Sequence, residues 1–63
     1  MNSPAPDELR HARESAGLTQ SEAARMVHTT YRAWHQWETG DRQMHPAMWE
    51  LFRIKARKNK KPQ

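Results

Sequence analysis

The sequence predicts an all-α fold: a four-helix domain followed by a basic C-terminal tail. Three observations predict it. The chain has 63 residues and no cysteine, so one small core must form without disulfides or thiolate-held metal. Its apolar residues recur at three- and four-residue spacing and nowhere alternate as a strand would require. Pro6, Gly17, Gly40 and Pro46 stand where helices begin and end, not inside them.

Residues 1–5 are polar and carry Pro4, and are expected to form a flexible arm. The domain is expected to span residues 6–56. Pro6-Asp7-Glu8 opens the first helix, with proline in the first turn and two acids near the positive end of the dipole. Leu9, Ala12, Arg13 and Ala16 make one stripe of that helix, and Gly17 ends it. Thr19-Gln20-Ser21-Glu22 is a capping box that starts the second helix. Ala23, Ala24 and Val27 give this helix a small-residue inner face. His28 and Thr29 interrupt it, and Thr30 caps a third helix that runs to Thr39 and closes at Gly40. A loop, residues 41–45, leads to Pro46 and a fourth helix carrying Met48, Trp49, Leu51, Phe52 and Ile54. The remaining tail, residues 57–63, is rich in Lys and Arg without apolar residues and is expected to fray or extend.

The stretch TYRAWHQWET carries the functional signal. At about 100° per residue, Trp34 and Trp37 define one face, with Ala33 on its flank. Arg32, His35, Gln36 and Thr39 gather on the opposite face, and Tyr31 lies on the boundary. The tryptophans are read as inward anchors in preference to a base-stacking platform. The outward group matches what major-groove reading requires. Arginine pairs with guanine, glutamine with adenine, and His or Tyr can contact a base or a phosphate. A solvated polar face is the plainer alternative, and for Tyr31 packing against the second helix is the alternative to reading a base. Two helices joined by a short turn, the second presenting such groups, form a helix-turn-helix arrangement. The turn wants a residue tolerant of positive φ, and here that residue is His28.

LTQSEAARMV followed by TYRAWHQWETGDR resembles the phage Cro and repressor (Xre-like) helix-turn-helix family. The features in common are Leu18-Thr19-Gln20, Ala24 and Trp37-Glu38-Thr39-Gly40, and the resemblance extends from Leu9 to about Ala56. It implies a λ-repressor-like domain that binds an inverted-repeat operator in double-stranded DNA as a homodimer. It further implies that Tyr31, Arg32, His35 and Gln36 face bases. Gln20 and Arg42, with Thr30 and Thr39, would bind phosphates, and Arg13 and Glu38 would form a structural salt bridge. The expected core is Leu9, Ala12, Leu18, Ala24, Val27, Trp34, Trp37 and Leu51. Three departures stand out. His28 and Thr29 replace a Gly and an aliphatic residue in the turn. Trp34 and Trp37 replace two aliphatics in the third helix. The sequence also ends after four helices where many relatives have a fifth. The dimer surface is therefore expected on the fourth helix, with Met48 and Trp49 as candidates.

Composition narrows the alternatives. A net charge of +4 favours a polyanionic partner. No apolar run is long enough to span a membrane and no signal peptide is apparent, so a cytoplasmic, membrane-free protein is expected. His11, His28, His35 and His45 fall on different elements without companion ligands, so no metal or other cofactor is expected. No Ser, His and acid gather beside a strained turn, so no enzyme is expected. The second functional reading is a protein-interaction module, such as the antitoxin of a toxin–antitoxin pair. RNA is a weaker partner, because its A-form major groove does not admit a helix.

Overall fold

The structure, a computed structural model, describes residues 3–58. It contains α1 (Pro6–Ser15), α2 (Gln20–Met26), α3 (Tyr31–Thr39) and α4 (Pro46–Lys58), with no strand among the described residues. The all-α expectation is met. Met1 and Asn2 of the expected arm, and residues 59–63 of the expected tail, lie outside the described residues.

Each boundary has a local cause. Ala5 has no side-chain acceptor, so α1 begins with half a capping box: the Ala5 N–H donates to Glu8 Oε1 at 3.3 Å. In α2 the box is complete. Thr19 Oγ1 accepts from the Glu22 N–H at 3.1 Å, and the Thr19 N–H donates to Glu22 Oε1 at 2.9 Å. Thr30 Oγ1 caps α3 by accepting from Ala33 at 3.1 Å. The fourth helix starts at Pro46 as expected, but its cap was not foreseen. There His45 serves as cap, its Nδ1 accepting from the Ala47 N–H at 3.0 Å.

The helix ends are equally local. Gly17 at φ 73° lets its own N–H reach the Glu14 carbonyl and that of Leu18 reach Arg13, a Schellman motif. His28 at φ 61° does the same for α2, with bonds from His28 to Arg25 and from Thr29 to Ala24. A left-handed conformation costs an L-residue with a Cβ about 1–2 kcal/mol, so His28 stands in a conformation that glycine would adopt more readily. The fourth helix runs through Arg57 and Lys58, past the expected start of the tail. Basic residues in a last turn suit the negative end of the helix dipole.

Packing is closest between α2 and α3, where Ala23 and Ala24 are both buried. Leu9, Leu18, Ala24, Val27 and Trp34 are buried as expected, while Ala12, Trp37 and Leu51 sit half-buried at the edge of the cluster. Two placements on α4 differ from expectation. Phe52, not Leu51, is the fully buried residue, its ring 4.9 Å from that of Trp34. Trp49, expected on an uncovered dimer surface, is only 9% exposed. It lies nearly parallel to Phe52, one turn away, with the Arg53 guanidinium 5.5 Å above its ring. The phase of α4 therefore turns Trp49 and Phe52 inward together. Met44, in the loop before α4, completes the core.

Candidate nucleic-acid interface

The third helix has one locked face and one free face. On the locked face stands Glu38, whose side chain is only 5% exposed. Leaving a buried carboxylate without donors would be costly, and four polar contacts meet it. Arg13 Nε donates to Oε2 at 2.7 Å and Nη2 to Oε1 at 3.3 Å. Gln20 Nε2 donates to Oε1 at 3.0 Å, and Trp34 Nε1 donates to Oε2. Burial pushes the Glu38 carboxyl up. The hydrogen bonds from Arg13, Trp34 and Gln20, with the Arg13 charge, outweigh it and hold the group below its ordinary value.

This hub joins three helices. Arg13 also donates through Nη1 to the Leu18 carbonyl at 2.9 Å, which ties the loop before α2 into the same network. The Arg13–Glu38 pair sits where the resemblance implied it. The hydrogen bonds of Trp34 and Gln20 to Glu38 were not foreseen. Gln20, expected at a phosphate, turns its amide inward to Glu38 because that carboxylate needs a further donor.

The free face carries the other four predicted groups. Tyr31 is 52% exposed, Arg32 and His35 are exposed, and Gln36 is half-buried. The Tyr31 and His35 rings stack one helical turn apart, with centroids 5.7 Å apart and planes inclined by 22°. Tyr31 thus lies along the outward face, over His35. Among the described residues, the side chains of Tyr31, Arg32, His35 and Gln36 make no hydrogen bond or ion pair within the chain.

The flanking residues frame this face. Thr30 and Thr39 stand exposed at the two ends of α3, each hydroxyl engaged with local backbone, Thr30 to Ala33 and Thr39 to Gln36. Arg42 is exposed just beyond the end of the helix, its backbone N–H held by the Gln36 carbonyl at 3.3 Å. One residue at the opposite end of α3 escaped sequence reading. Lys55 of α4 donates to the Met26 carbonyl, at the end of α2, at 2.9 Å. In the sequence it is indistinguishable from its cationic neighbours Arg53, Arg57 and Lys58.

Among the described residues no cluster of three His, Cys, Asp or Glu could hold a metal ion, and no helix is long and apolar enough to cross a membrane. On the fourth helix Met48 is half-buried, and Ile54, 49% exposed, is a large apolar side chain open to a partner.

A family model described as a helix-turn-helix domain matches residues 7–52, from the first turn of α1 to the middle of α4. A Type II methyltransferase, M.MspI of a Moraxella species, is 33% identical over 52 residues. Those residues are 82% of this chain and 12% of that protein.

Proposed function

This chain belongs to the helix-turn-helix domain family, and from that premise we propose that it is a sequence-specific DNA-binding regulator of the Cro and repressor type. One observation carries the reading: Tyr31, Arg32 and His35 stand exposed on one helix face with Gln36 half-buried beside them, and among the described residues their side chains make no hydrogen bond. A helix of this size fits the major groove of B-form DNA, where Arg and Gln can each make paired hydrogen bonds to a base edge. Arg42, Thr30 and Thr39 are the phosphate contacts. Gln20 supports the helix from inside through Glu38.

One such helix spans few base pairs, so specificity calls for two copies on an inverted repeat. The dimer face is the outward side of α4, with Ile54 at its centre and the half-buried Leu51 and Met48 at its margins. Trp49 is retained by the monomer's own core. The activity is repression by occupancy of a promoter, without catalysis. The likeness to part of a methyltransferase covers 12% of that protein and carries no claim of methyl transfer here.

Selection from a random duplex library at moderate salt, followed by sequencing, tests the reading. Recovery of an inverted repeat with fixed spacing is the expected result. Recovery of no motif, with binding that vanishes as salt rises, would leave only charge attraction. The protein-interaction alternative would then take its place.

A further inference from the structure

We infer that Lys55 is a positioning residue for α3, a clamp from α4 on the turn that aims the reading face. The inference rests on the DNA-reading function proposed above. At the end of α2 the Schellman bonds occupy the Ala24 and Arg25 carbonyls. The Met26 carbonyl accepts instead from Lys55 Nζ at 2.9 Å, across 29 residues of sequence. The same ammonium lies 3.4 Å from His28 Nε2, which accepts when the ring proton is on Nδ1. A cation is also favoured at this spot because the C-terminus of a helix is the negative end of its dipole.

The turn needs such a support. His28 holds φ 61°, which a residue with a Cβ leaves readily once its surroundings loosen. Any change there swings α3 relative to α2, and the four outward side chains with it. Phe52 and Lys55 are three residues apart on α4, so they project from one side of that helix. Phe52 packs against Trp34 of α3, and Lys55 bonds the end of α2. One side of α4 thus references both helices of the reading unit, one turn apart. A Lys at this position therefore acts on sequence preference without touching a base.

Lys55→Met and Lys55→Arg, in the full chain, separate this role from its rivals. Two readouts are taken: binding to the selected operator and to unrelated duplex across a salt series, and amide hydrogen exchange residue by residue. Lys55→Met is expected to lower the ratio of operator to non-operator affinity by about tenfold, the scale of one charge-assisted hydrogen bond. The salt slope on non-operator DNA stays unchanged, and exchange accelerates at His28 and Thr29 but not in α1. Lys55→Arg restores both. An equal loss on all sequences with a shallower salt slope would make Lys55 a phosphate contact and overturn the inference. Unchanged preference despite faster exchange would make it merely structural, with the same consequence. Absence of any preference in the unaltered protein would instead sink the DNA-reading function. The exchange data would then judge the clamp alone, and unaltered rates at His28 and Thr29 would refute it.

Discussion

Arg13 Nε donates to Glu38 Oε2 at 2.7 Å, and this bond fastens α1 to α3. The pair is nearly dry, with side chains 13% and 5% exposed. Removing Glu38 leaves Arg13 with only a longer, 3.8 Å pairing to the exposed Glu14, and that cost exceeds the net value of the intact pair. Glu38→Ala is therefore expected to destabilise the fold by about 3 kcal/mol. Glu38→Gln, which keeps acceptor geometry for part of the network, should cost less. Urea unfolding of the two variants checks the order, and equal losses would refute the electrostatic account.

The same carboxylate makes stability depend on pH. Its folded-state pKa lies below the ordinary value of 4.5. Between the folded and unfolded values only the unfolded chain takes up the proton, so lowering the pH favours unfolding. The Glu38 contribution is complete above the ordinary carboxylate range and disappears as the pH falls through the depressed folded value. Melting curves from pH 6 to pH 3 should show a steeper loss in the parent protein than in Glu38→Gln. Parallel curves would mean that other carboxylates dominate acid unfolding.

Arg32 and Arg42 should fail differently. Arg32→Ala is expected to relax preference at one base position at a cost of about 1–3 kcal/mol. Arg42→Ala should weaken binding to all sequences alike and reduce the salt slope by about one. Titrations on operator and unrelated duplex distinguish them. Uniform weakening by both would show that the division between reading and phosphate contact is wrong.

The phase of α4 is tested by two neighbouring truncations. Phe52→Ala empties a fully buried site and is expected to cost about 3–5 kcal/mol, enough to unfold so small a domain. Leu51→Ala removes a half-buried side chain at the core edge and should cost about 1 kcal/mol. Circular dichroism during thermal unfolding ranks them, and the reverse order would contradict the core described here.

Ile54→Lys places a charge on the proposed dimer face while leaving the core intact. Sedimentation at rising concentration, with and without operator, is expected to show a monomer where the parent protein dimerises. Half-site binding should survive. A variant that still dimerises would move the interface elsewhere.

The helix ends were legible because their causes are local. Thr19 with Glu22, Gly17, Thr30 and Gly40 act within a few residues, so reading neighbours was enough to place α2 and α3 and the ends of α1. The face of α3 was legible too, since helical spacing alone separates Trp34 from Arg32, His35 and Gln36. The cap by His45 was missed because a ring nitrogen accepting a backbone N–H leaves no pattern as plain as a capping box.

By itself, then, the sequence determined an all-α chain, the limits of most of its helices and the groups on the outward side of α3. Tertiary structure alone decided that Phe52 and Trp49 turn inward, that Gln20 serves Glu38, and that Lys55 holds the turn. The reason is physical. Gln20 and Lys55 are assigned by partners 18 and 29 residues away, and the inward turn of α4 by a core that several helices fill together. A buried carboxylate and a free helix-end carbonyl acquire their donors only when distant helices meet.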